Sequence, residues 1–70
     1  MRYREAARRL AALGCQEVPR RGKGSHRLWH NPAADRFATV PDHGSRDLAT
    51  GTLRAVVRQL GLDWRGFLDG

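Results

Sequence analysis

The densest chemistry in this chain is the run Arg20-Arg21-Gly22-Lys23-Gly24-Ser25-His26-Arg27, where one histidine stands among four cations. Histidine is the side chain whose ordinary pKa lies near neutrality, so it can take or give a proton at physiological pH. Clustered cations attract phosphate. Together they suit the cutting of RNA, which needs a proton removed from the 2′-hydroxyl, a proton delivered to the leaving 5′-oxygen, and charge stabilised on the phosphorane between them. A general acid or base placed for this contributes on the order of a hundred- to ten-thousand-fold in rate. His26 fills one of the two proton roles, and water, Lys23 or His43 is left for the other. Arg20, Arg21 and Arg27 are suited to hold phosphate oxygens, because guanidinium offers paired donors and stays charged. Lys23 in the turn and Ser25 beside it are expected to add further phosphate contacts.

The rest of the composition narrows the class. Eight Lys or Arg face two acidic residues in positions 1 to 30, whereas five face five in positions 31 to 70, so all of the net charge of +6 lies in the first part. A polyanion partner fits such an asymmetric basic surface, since neutralising phosphates and releasing counterions supplies affinity. Cys15 is the single cysteine, which excludes an intrachain disulfide and fits a reducing cytosol. Cys15, His26, His30 and His43 do not have the spacing of a compact zinc site, and residues i and i+4 on a strand lie about 13 Å apart. No metal or other cofactor is expected. No stretch approaches the length of a membrane span or a signal peptide, so a cytoplasmic location is expected.

The elements that must position His26 can be read in order. Tyr3, Ala6, Ala7, Leu10 and Leu13 recur at helical spacing, with arginines opposite them and Gly14 as the stop. Residues 15 to 21 read as a first strand, weakened by Pro19 and therefore at an edge. Residues 25 to 30 and 35 to 40 read as a second and a third strand, joined by the turn Asn31-Pro32-Ala33-Ala34. The glycine-hinged turn before Ser25 would close the first hairpin and put His26 on the central strand. Trp29 and Phe37 are expected on one side of this sheet and the aliphatic residues on the other, with either side open. Leu53, Val56, Val57 and Leu60 then mark the clearest helix, capped by Thr50 or Thr52 and stopped at Gly61. Asp63 can cap a last helical turn carrying Trp64, Phe67 and Leu68. The expected fold is α+β, a three-stranded antiparallel sheet packed on two helices plus a short terminal helical turn, in one domain spanning residues 1 to 70.

Several of these residues occur together in a known pattern: Gly24-Ser25-His26 on a strand, Thr39-Val40-Pro41 followed by His43, Gly51-Thr52-Leu53-Arg54, and Gln59-Leu60-Gly61. The set resembles the HicA family of toxins from bacterial toxin–antitoxin pairs. The resemblance implies a double-stranded-RNA-binding-like α-β-β-β-α fold, cleavage of mRNA, and inhibition by a HicB-type antitoxin that covers the active histidine. The family's essential histidine falls on His26, while Pro41 and His43 match positions of less certain role. Two other readings stand beside it. One is a non-catalytic RNA-binding module in which the basic face suffices and His26 is incidental. The other is a small interaction protein that docks a partner through an apolar sheet face.

Overall fold

The computed structural model describes residues 1–19 and 25–70. Its elements are α1 (Tyr3–Ala12), β1 (Gln16–Glu17), β2 (His26–Asn31), β3 (Arg36–Pro41), α2 (Thr50–Gln59) and α3 (Trp64–Asp69). The strands form one antiparallel sheet in the order β1-β2-β3, with β2 central. Helices cover one face of this sheet, so the molecule is the expected two-layer α+β structure.

Each helix forms because its apolar residues repeat on one side. Tyr3, Ala6 and Leu10 are the buried positions of α1, and Leu53, Val56 and Val57 those of α2. Both helices run into a glycine with positive φ, +93° at Gly14 and +73° at Gly61, which a residue bearing a side chain adopts only with strain. The expected threonine cap on α2 does not form. Ala49 holds the extended N-cap conformation and makes no side-chain cap, because Thr50 is already the first helical residue. Asp63 does cap α3, accepting from the Gly66 amide at 2.9 Å.

The first strand is much shorter than residues 15 to 21. It pairs Gln16 with His30 and Glu17 with Trp29, and the Val18 amide adds one bond to the Leu28 carbonyl at 2.8 Å. Pro19 comes next, at a position whose amide would face away from β2, which an edge strand tolerates. Positions 20 and 21 of the expected strand lie outside the described residues, as does the rest of the turn through Gly24.

Register decides which residues share a face. Trp29 pairs with Ala38 and Arg27 with Val40, whereas Leu28 pairs with Thr39 and His30 with Phe37. Trp29 and Phe37 are therefore on opposite faces, which corrects the expectation that they lie together. Trp29, Ala38 and Val40 are buried beneath the helices with Leu10, Val57 and Leu60. Phe67 of α3 closes this core at 1% exposure. α3 is fastened to α1 by Arg9, whose guanidinium donates to the Phe67 carbonyl at 3.1 Å and to that of Leu68. Asn31, expected as a turn residue, is the buried last residue of β2. Its side-chain amide donates to the Leu60 carbonyl at 2.7 Å and so ties the sheet to the end of α2.

Candidate active site

His26 is the first residue of β2 and pairs with Pro41 at the last position of β3. Alternation puts it on the face that carries Leu28 and His30, away from the helices. Its side chain is exposed there. Just before it, the Ser25 carbonyl accepts from the Asp42 amide, so the pairing runs one step past the strand ends. Ser25 itself is exposed. The same bond brings the chain leading to His43 alongside the start of β2. His43 is exposed, in a turn closed by the Arg46 amide donating to the His43 carbonyl and the Gly44 amide donating to the Asp42 carboxylate. Of the other expected phosphate contacts, Arg20, Arg21 and Lys23 lie outside the described residues.

Arg27 is placed differently from His26. Its guanidinium lies between Glu17 at 3.5 Å and Asp42 at 3.4 Å. Glu17 is paired with Trp29, which sets this cluster on the helix-covered face, at its margin. One guanidinium shared by two carboxylates leaves no excess positive charge, so Arg27 is a weak attractor of phosphate. The cluster continues inward: Trp29 Nε1 donates to the Tyr3 hydroxyl at 3.1 Å, and that hydroxyl donates to Glu17 at 3.2 Å. Burial is the main force raising the Tyr3 pKa above its usual value, and Glu17 acts in the same direction against the Trp29 hydrogen bond. Burial likewise pushes the Cys15 thiol up. On α1, Arg8 and then Arg9 hydrogen-bond the Glu5 carboxylate and hold its pKa below the usual range.

At the other end of the open face, His30 Nε2 lies 3.0 Å from the Asp35 carboxylate. The His30 ring also stacks on Phe37, with centroids 4.2 Å apart and planes 19° from parallel. Sequence singled out Phe37 as a sheet aromatic, but paired it with Trp29 and not with His30; Asp35 was not singled out. The signal was present in Phe37 at an alternating position, but only the register shows that it opposes His30. On the helix layer, Arg54 sits over the Trp64 ring at 4.8 Å in a groove between α2 and α3. That groove is on the opposite side of the sheet from His26.

The geometry defines a small α+β protein whose open sheet face presents a histidine at the start of its central strand. The chain matches the family model of the HicA toxin of bacterial toxin–antitoxin systems over residues 3–62, and it belongs to that family. It is 36% identical over 62 residues to the probable mRNA interferase HicA of Pseudomonas fluorescens (strain Pf0-1), a match covering 89% of this chain and 97% of that relative. No solved structure matches the chain at a significant level. Helix α3 begins past the residues matched by the family model. No helix among the described residues is long and apolar enough to cross a membrane.

Proposed function

We propose that this chain, acting as one HicA-like domain, is the toxin of a toxin–antitoxin pair and a metal-independent endoribonuclease that cleaves mRNA, with His26 as general acid or base. The observation that carries the reading is the exposed His26 side chain on the uncovered face of the sheet, at the position where the family's motif has its histidine. RNA brings its own nucleophile, so the protein needs to move protons and steady charge rather than generate hydroxide. In the proposed reaction the 2′-oxygen forms a bond to phosphorus while the bond from phosphorus to the 5′-oxygen breaks. His26 takes the 2′-proton, and a second group gives a proton to the 5′-oxygen. His43 is the candidate for that second group, because the Asp42 amide bond to Ser25 keeps its chain segment beside β2. Arg20, Arg21, Lys23 and Ser25 are proposed to hold phosphate oxygens. Arg27 acts behind them, by tying β1 to the end of β3 through Glu17 and Asp42. A HicB-type antitoxin is the proposed protein partner, covering His26.

The test is cleavage of single-stranded RNA by the purified chain and its His26→Ala variant, with a chelator present. The wild type is expected to cut and to leave 2′,3′-cyclic phosphate and 5′-hydroxyl ends. His26→Ala, unchanged in melting temperature because the side chain is exposed, is expected to be slower by about a hundred- to ten-thousand-fold. Equal rates in the two proteins, or loss of wild-type cleavage on adding chelator, would sink the proposed mechanism. RNA binding with no cleavage by the wild type would instead mark a non-catalytic RNA-binding module.

A further inference from the structure

Phe37 is half exposed in the body of the sheet, whereas the other exposed large apolar side chains, Leu13 and Leu68, sit at helix ends. Its ring is not loose. It lies against His30, and His30 is oriented in turn by Asp35. Asp35 holds that place from a left-handed turn conformation with φ of +51°, which aspartate tolerates better than most residues. The result is a fixed pair of flat rings on the same face as His26. Four residue steps of strand lead from His26 to His30, about 13 Å, which a few nucleotides of extended strand would cover.

We infer that Phe37 and His30 form a stacking subsite for a nucleobase of single-stranded RNA whose scissile phosphate lies at His26. The inference rests on the proposed endoribonuclease reading and deepens it by assigning a base contact. Every nucleobase presents a π-face, so an exposed aromatic ring binds bases with little sequence preference. The charge pattern favours a polyanion over a second copy of this basic chain, and the stacked rings favour a nucleobase over an acidic peptide, whose carboxylates have no π-face to stack. Among the described residues, the open face between His26 and Phe37 carries Leu28 and Thr39 and no carboxylate, and the carboxylate beside the subsite, Asp35, is hydrogen-bonded to His30. A polyanion crossing this face thus meets a single carboxylate, hydrogen-bonded to His30, in a chain with a net charge of +6. Stacking adds a hold on the base to the hold on phosphate proposed for the arginines.

The experiment measures binding of a 2′-O-methyl oligoribonucleotide, which cannot be cut, to the full chain bearing His26→Ala. Adding Phe37→Ala is expected to weaken binding by about tenfold. Phe37→Leu, which keeps apolar bulk but removes the ring, should weaken it as much, while Phe37→Trp should retain it. An oligonucleotide with one abasic position should show the same loss at one register only, and that loss should vanish in the Phe37→Ala protein. In the active chain, Phe37→Ala should raise KM for cleavable RNA by about the same factor and change kcat less. Unchanged binding in both Phe37→Ala and Phe37→Leu overturns the subsite, even where His26→Ala has abolished cleavage as proposed. Phe37→Ala that binds RNA normally but loses its antitoxin partner also overturns it, and marks the face as a protein-docking surface. Conversely, ring-dependent binding in a chain that never cleaves would uphold the subsite and reject the nuclease.

Discussion

The two faces of this sheet are built from alternate residues of the same strands, yet they are finished in opposite ways. On the covered face Trp29, Ala38 and Val40 are sealed by Leu60, Val57 and Phe67, and the polar atoms reaching into that layer find partners. Among the described residues no buried side-chain nitrogen or oxygen is left without a hydrogen bond. On the open face His26 is exposed, Phe37 is half exposed and, among the described residues, no helix lies over them. A register slip of one residue would exchange the two sets. The tight specification of the covered side is therefore also what aims His26 at solvent. Stability and the proposed chemistry share the strands but not the side chains.

If that division holds, damage to the covered face should act through folding alone. The largest effect is expected at Phe67. Phe67→Ala removes the ring that closes the core and should lower unfolding free energy by about 3–5 kcal/mol in urea titration. This is a large share of what a chain of this size can hold. Residual RNA cleavage, corrected for the folded fraction, should be unchanged. A loss of activity in the folded fraction would mean that α3 bears on the site and would break the comparison.

A smaller effect is expected from pH. Because burial favours the neutral Tyr3 phenol, its folded pKa lies above the unfolded value of about 10. The fold then binds the proton more tightly than the unfolded chain does, so this contribution is complete below about pH 10 and is lost as pH rises through the folded pKa. Cys15, raised by burial as well, adds a loss of the same sign from a lower pH. Unfolding free energy measured from pH 8 to 11 should fall in the wild type and fall less steeply in Tyr3→Phe. Equal slopes would show that the Tyr3 hydroxyl is not buried in solution as it is in the structure.

What the sequence revealed and what it hid follow from the range of the forces involved. Helices, strands and their order are local, and periodicity, Gly14, Gly61 and Asp63 announced them. The position of His26 at the start of the central strand was legible as well, because the glycine-hinged turn and the strand pattern around it are local. Faces and partners are not local. Leu28 and Trp29 each offered an apolar residue to one side of β2, and only the pairing of Trp29 with Ala38 decides between them. Arg27 looked like one more phosphate clamp until Glu17 and Asp42, ten and fifteen positions away, were seen to hold it. Asn31 carried the signature of a turn, and its role as the link to Leu60 depends on a contact across the whole C-terminal half.

The central claim is that RNA meets this protein on the open face of the sheet rather than on the arginine side of α1. The most direct measurement is side-chain NMR of the full chain titrated with a 2′-O-methyl oligoribonucleotide. The account predicts that the imidazoles of His26 and His30, the Phe37 ring and the methyls of Leu28 and Thr39 shift together, while the buried methyls of Leu53, Val56 and Val57 do not. Shifts centred on the Arg4 and Arg8 guanidiniums, with His26 and Phe37 unmoved, would contradict it.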